Sequence, residues 1–214
     1  ATVCLINVVS MKNFAVGTSL AKTESILIAI LGTLFFSSPL SVWGYVSVLI
    51  GSAGLVFASQ WKGSLADKAN FNSLSYGLSA GLGFALSSLW IRSASLSLAV
   101  GPIPSAAAVL LYMVVLQSLI CFLWIVLKEP EQLNLIKNNF NACLFIGFTG
   151  VAGSVGWFTA MSLQNAALVK TLGQVEFIIG LLITYFYFKE RISRREYLGI
   201  VLIALSVFLI AGYT

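Results

Sequence analysis

The 214-residue chain is 59 % hydrophobic and 9 % charged, where a soluble domain carries about 25 % charged residues; that excludes a soluble globular protein and points to an all-α, polytopic helical membrane protein. Its formal net charge of +5 does not indicate a nucleic-acid partner, because the basic residues fall mostly in short stretches between apolar runs. Histidine is absent, which removes His-ligated metals, His-held haem and Ser-His or Cys-His nucleophiles, so no cofactor and no metal site is expected.

A helix needs about 20 mostly apolar residues to cross the hydrocarbon core. That window predicts eight transmembrane helices, at 1–18, 20–38, 41–59, 72–97, 104–127, 141–163, 166–188 and 194–213. The first run already starts at Ala1, so no signal peptide is expected before it, and it holds Lys12 deep among apolar residues. The second carries Lys22 and Glu24 and ends at Ser37-Ser38-Pro39. The turns at 37–40 and 163–166 are short enough to make their flanking helices antiparallel neighbours. The fourth contains Tyr76, a Gly77-xxx-Gly81 spacing, Trp90 and Arg92. The fifth contains Tyr112 and is bounded by Gly101-Pro102-Ile103-Pro104 and by Lys128-Glu129-Pro130, both helix-breaking signals. The sixth carries Gly147, Gly150, Gly153 and Gly156, which read as a helix-packing surface, and then Trp157. The seventh holds Lys170, Gly173, Gln174, Glu176 and Gly180. Cys4, Cys121 and Cys143 stand alone and read as small buried hydrophobes.

Loops fall alternately on two sides. One side collects Lys62, Lys68, Lys128, Lys137, Lys189, Arg191, Arg194 and Arg195, and the other has Arg92 alone. The positive-inside bias therefore places the 60–71, 128–140 and 189–193 loops in the cytoplasm and the C-terminus, Thr214, outside.

Laid on itself at an offset of 152 residues, the chain matches Ser10 with Ser162, Asn13 with Asn165, Ala15 with Ala167, Leu20 with Leu172 and Glu24 with Glu176. The same register matches Ile26 with Ile178, Phe36 with Phe188, Ser41 with Ser193 and Tyr45 with Tyr197. The turn at 37–40 is external and uncharged, whereas its counterpart at 189–193 is internal and basic, so the two copies run in opposite senses. Inverted repeats are a common construction of secondary transporters. At this offset the helices in 60–140 have no counterparts after Ala1, which leads to the expectation of two further helices upstream and ten in a complete arrangement, with the first repeat truncated here.

Ionisable groups in a bilayer are costly and usually line an interior path, which singles out Glu24 and Glu176. Each can bind a cation or amine or carry a proton; each can equally brace helices through a hydrogen bond. Gly173 and Gly180 bracket Glu176 on one helical face and let a neighbour or substrate approach closely, so Glu176 is expected to face the cavity. Lys12, Lys22, Lys170 and Gln174 are candidates for holding a carboxylate or phosphate, or for snorkelling to the interface. Trp90 and Trp157 are candidates for an aromatic pocket wall. Enzyme chemistry is not expected, because Glu129, Glu131, Glu190 and Glu196 lie scattered in loops.

The stretch AALVKTLGQVEFIIGLLITYFYFKERISRREYLGIVLIALSVFLI resembles the last two helices of an EamA-type repeat of the drug/metabolite transporter superfamily, with Glu190-Arg191, Ser193 and Gly199 at the motif positions. Residues 10–58 look like the same unit from a first half, with Ser38-Pro39 where Glu-Arg would stand. FALSSLWIRSAS is similar to the first helix of a second repeat, with its tryptophan at Trp90. The resemblance implies three domain segments: 1–59, the C-terminal three helices of a first repeat; 60–71, a cytoplasmic linker; and 72–214, a second repeat of five helices. It also implies a carrier of small metabolites, often an exporter of amino acids or amphipathic compounds. The first function expected of the residues is transport by alternating access about a midplane site lined by Glu24, Glu176, Lys12, Trp90 and Trp157, with proton coupling through Glu176 as a narrower expectation. The expected partners are the lipid bilayer of a bacterial inner membrane, a small-molecule substrate and protons, with a homodimer open to it. Family members commonly keep both termini in the cytoplasm, in contrast to the charge count above. The alternative function is a non-transporting membrane binding or assembly protein, expected if apolar side chains pack solidly around both glutamates.

Overall fold

The computed structural model describes residues 1–10, 23–58, 71–187, 189 and 192–213. Lys12, Lys22, Glu190, Arg191 and Thr214 lie outside the described residues, as does the 60–70 stretch. Among the described residues all regular structure is helical: α1 (Thr2–Ser10), α2 (Glu24–Phe35), α3 (Val42–Ala58), α4 (Phe71–Ser97), α5 (Pro102–Lys128), α6 (Glu131–Asn138), α7 (Phe140–Leu163), α8 (Ala166–Gly173), α9 (Val175–Tyr187) and α10 (Arg194–Tyr213). Apolar runs adopt helices because hydrocarbon offers backbone N–H and C=O groups no water, so each segment must satisfy them internally.

Among the described residues four stretches are long and apolar enough to cross a membrane: Pro102–Lys128, Phe140–Leu163, Ala166–Tyr187 and Arg194–Gly212. The described parts of α2 and α3 are shorter apolar helices, and α4 is diluted by serines and Arg92. The four crossing stretches correspond to four of the eight predicted spans, while the predicted spans 1–18 and 20–38 run partly outside the described residues. Three expectations are corrected. The 128–140 stretch is not an open loop but contains α6, begun behind Pro130. Cys121 and Cys143 are exposed, not buried. The predicted continuous helix 166–188 is interrupted at Gln174, where Gln174 N–H donates to Thr171 O at 3.1 Å and Phe177 N–H to Gln174 O at 3.0 Å. These i to i+3 bonds tighten the chain just after Gly173, a poor helix former.

The chain divides into two compact units, the first comprising Ala1–Trp90 with Asn165–Thr214 and the second Ile91–Gln164. In the first unit the closest packing is between α3 and α10. A Cβ on Gly54 would stand 2.9 Å from Ile203 N, one on Gly199 2.4 Å from Ala58 Cβ, and one on Gly51 2.8 Å from Ser206 Oγ. These pairings climb one helix as they descend the other, so the two run antiparallel. Leu55, Ala58 and Ile203 are buried there, with Phe177 and Ile178 of α9 packed against them. Without a hydrophobic drive between helices in lipid, small residues that let backbones touch supply the packing.

The starts of α3, α8 and α10 are capped by side chains. Ser41 Oγ accepts from Gly44 N–H at 3.1 Å ahead of α3, and Ser193, 152 residues further on, accepts from Glu196 N–H at 3.3 Å ahead of α10. Glu196 returns the bond, its Oε2 accepting from Ser193 N–H at 2.6 Å, which completes a capping box. Glu196 is 3 % exposed and belongs to the first turn of a helix, not to a loop; Glu131 likewise stands in the first turn of α6. Replacing Ser193 with Ala is expected to lower stability by about 1 kcal/mol, read as an earlier midpoint in denaturant titration of the detergent-solubilised protein. Between α2 and α3, Ser37 holds a left-handed φ of 45°, and Ser38 N–H bonds back to Gly32 O at 3.0 Å, so a left-handed residue closes the helix. Asn165 Nδ2 donates to Ser38 Oγ at 2.9 Å while its Oδ1 accepts from Ala167 N–H at 3.0 Å and caps α8.

In the second unit α5 packs on α7, burying Ser105, Ala106, Leu110, Met161 and Ser162. Arg92 Nη1 donates to Met161 O at 2.6 Å and also to Gln164 O, a cation at the C-terminal end of α7 where the helix dipole favours it. The basic residue that stands alone on its side of the charge count thus has a structural task. Leu111, Phe122, Trp124, Phe145 and Phe148 are exposed, as lipid-facing side chains of a membrane protein are. A Cβ added at Gly147, Gly150, Gly153 or Gly156 would meet nothing within 4 Å outside the local helix among the described residues, so the expected packing surface on α7 is not used within this unit.

Candidate functional site

The first unit contains a polar cluster assembled from residues far apart in sequence. Glu24 opens α2 and Lys170 lies in the last turn of α8. A carboxylate is favoured at a helix N-terminus and an ammonium at a C-terminus. The two helix ends meet, and Lys170 Nζ stands 2.9 Å from Glu24 Oε1, with the side chains 24 % and 17 % exposed. Ser88 Oγ of α4 donates to the same carboxylate oxygen at 3.1 Å. Each charge therefore has its own helix end and an opposite charge as partners, which together offset the desolvation that makes a buried charge costly.

Beside the charged pair lies a neutral layer. Ser25 Oγ and Ser52 Oγ are 3.1 Å apart, and Gln174 Nε2 donates to Ser25 Oγ at 3.2 Å. Gln174 sits at the interruption between α8 and α9, and its side chain reaches across to α2. Thr171 and Ser206 are fully buried next to it. The interruption puts a helix end in the polar cluster, and discontinuous helices of this kind hold substrates and ions in transporters.

Glu24, Lys170 and Gln174 are thus brought together, while Glu176 is not in this network. It is exposed in the first turn of α9 and lines an open groove of about 540 Å³ with Ala58, Phe177, Gly180, Leu181, Thr184 and Glu196. Space is open beside Gly180, with nothing within 4 Å of where a Cβ would stand. Trp90 is 60 % exposed on α4, and Trp157 of the second unit is half-buried on α7. Sequence reasoning passed over Ser52, Ser88 and Ser206. The small-residue face of Ser47, Gly51, Gly54 and Ala58 on α3 gave no signal for Ser52, which lies about a quarter turn away from it on the helix. Among the described residues no group of three His, Cys, Asp or Glu could hold a metal.

The EamA-like transporter family matches the chain over residues 72–212. This chain belongs to that family. The family lies within the drug/metabolite transporter superfamily, so this EamA-like protein is an integral membrane protein of transporter type, in keeping with its apolar helices. No curated protein and no solved structure matched the chain.

Proposed function

We propose that this EamA-like protein is a secondary transporter that exports a small metabolite, an amino acid or an amphipathic compound, by alternating access. The observation that carries the reading is the Glu24–Lys170 pair at 2.9 Å. A zwitterionic substrate offers an ammonium to the carboxylate and a carboxylate to the ammonium, so it can replace the internal partner of each at little electrostatic cost. Breaking that pair frees α2 from α8, which couples binding to a movement of helices. Lys12, Lys22, Trp90 and Trp157 stay candidates for binding substrate on the sequence alone.

The proposed architecture is a pair of inverted repeats, with 1–59 from the first, 72–214 as the second, and the C-terminus extracytoplasmic in an inner membrane. Two observations support it. Repeat-equivalent α3 and α10 lie antiparallel, and under the 152-residue offset the contact Gly51–Ser206 maps onto Ile203–Gly54, which is also a contact. Repeat-equivalent Ser41 and Ser193 make the same cap. The rival reading, a binding or assembly protein without transport, called for apolar packing around both glutamates; Glu24 instead has Lys170 and Ser88, and Glu176 lines an open groove.

Proton coupling is proposed for Glu176, with Glu196 on the same groove. In proteoliposomes carrying a panel of radiolabelled amino acids and amphipathic amines, the protein is expected to drive uptake under an imposed pH gradient. Glu176→Gln is expected to lower that uptake by about 10²-fold, the scale set by losing a positioned proton carrier, while exchange at equal pH persists. Gradient-driven uptake unchanged in Glu176→Gln rules out this coupling role, and no movement of any panel member by folded protein rules out the transporter reading.

A further inference from the structure

α6 carries apolar side chains that no described residue covers. Leu133, Leu135 and Ile136 are exposed, and no residue of the helix is buried. At about 100° per residue, Ile136 stands near the centre of an arc closed by Leu133 and Leu135, and Asn134 is on the opposite side. Glu131, Lys137 and Asn138 flank Asn134 there, so one side of the helix is wholly polar. Gln132 falls within the apolar arc, but its Nε2 turns back to donate to the Glu129 carboxylate.

Both ends of α6 are tied to membrane-crossing helices. Glu129 and Pro130 join it to α5, and Asn139 alone joins it to α7. Ser162 Oγ donates to Pro102 O at 3.3 Å, which sets the far ends of α5 and α7 level. From that level to Lys128 and to Phe140 the two helices run about 39 and 33 Å, so their near ends emerge within about 6 Å of the same depth. α6 is about 12 Å long, and links this short reach about 10 Å at most. It therefore cannot stand off from the membrane and runs across those two helix ends. Trp124, Leu127 and Phe140 are exposed beside it, and aromatic residues favour the headgroup level. The apolar arc of α6 thus continues the lipid-facing surfaces of α5 and α7. Lys128 and Lys137 are balanced by Glu129 and Glu131, so apolar area, not net charge, must hold the helix down.

We infer that α6 docks on the lipid interface, lying in the membrane plane with Leu133, Leu135 and Ile136 beneath the headgroups and Asn134 in water. This placement is independent of transport and of the side of the membrane on which α6 lies. The test puts a polarity-sensitive fluorophore on Ile136→Cys or Asn134→Cys in the full chain, its three cysteines changed to Ala, in phosphatidylcholine nanodiscs. The probe at 136 is expected to emit at shorter wavelength, to be quenched by a lipid spin-labelled high on its chain, and to be spared by iodide; the probe at 134 is expected to do the reverse. Adding phosphatidylglycerol is expected to change none of this. Equal iodide quenching at the two positions overturns the proposal, since α6 then stands in water. A blue shift that needs phosphatidylglycerol overturns it, since charge then holds the helix. Shielding at 136 without quenching by the spin-labelled lipid overturns it too, since protein, a second copy of this chain included, then covers the face. Trypsin covers the case in which the cysteine-free chain does not fold. With the native cysteines kept, Leu133→Asp is expected to be cut after Lys137 about tenfold faster than the parent in the same nanodiscs, the scale of freeing one apolar anchor. Asn134→Asp is expected to be cut at the parent rate, and equal rates in the two variants overturn the docking.

Discussion

Neutralising one partner of the Glu24–Lys170 pair is expected to cost more stability than neutralising both. Either Glu24→Gln or Lys170→Met leaves the other charge largely enclosed, its side chain 24 % or 17 % exposed, without its opposite. Removing one member of a buried pair costs about 3–5 kcal/mol; the residual exposure of both side chains places the expected loss at the lower end, about 3 kcal/mol. The double variant keeps neither charge and is expected to recover most of that loss. Transport separates binding from bracing. If the pair is where a zwitterion exchanges partners, the recovered double variant still fails to move substrate, by a factor of about 10² or more, the loss expected when a charge-assisted contact on each end is absent. A double variant that is stable and transports like the parent makes the pair a brace and nothing else. The charge-swapped protein, Glu24→Lys with Lys170→Glu, is expected to recover only in part, because each charge would then oppose the dipole of its own helix end.

The second large effect is at the α3–α10 contact. A Cβ on Gly199 would stand 2.4 Å from Ala58 Cβ, 2.6 Å from Ala58 N and 2.6 Å from Gly54 O. Two of those atoms are backbone of a facing helix, so no side chain can turn aside and the helices must separate. Gly199→Ala is expected to cost about 3 kcal/mol, the upper end for overpacking, and Gly199→Val to yield no folded protein in detergent by size exclusion. Gly150→Ala on α7, where nothing lies within 4 Å, is expected to unfold at the parent temperature or above it, since Ala is the better helix former. A Gly199→Ala protein as stable as the parent would mean that α3 and α10 do not approach as described.

The helical segments were legible in the sequence because hydrocarbon leaves an apolar run no other way to bond its backbone, and the starts of α3 and α5 lie within two residues of their expected positions. Glu24, Lys170 and Gln174 were legible as candidates for a related reason: a charged or amide side chain inside an apolar run is costly and stands out. The capping box was also readable, as Ser193-x-x-Glu196 at the start of the helix expected from 194. The interruption at Gln174 was not readable. Gly173 and Gln174 are tolerated inside many helices, and the bond from Gln174 to Ser25 that rewards the break comes from α2.

Composition alone determined that this chain is a helical membrane protein, because the free energy of placing apolar or charged residues in lipid sums over each segment without reference to any other. Residue type alone also marked which side chains would be costly there. Only the tertiary structure decided their partners. It set Glu24 on Lys170 and Ser88, moved Glu176 to a separate groove, and packed Gln174 against Gly51. The physical reason is that hydropathy is additive and local, whereas an ion pair depends on two helix ends meeting within about 3 Å, the reach of a charge-assisted hydrogen bond.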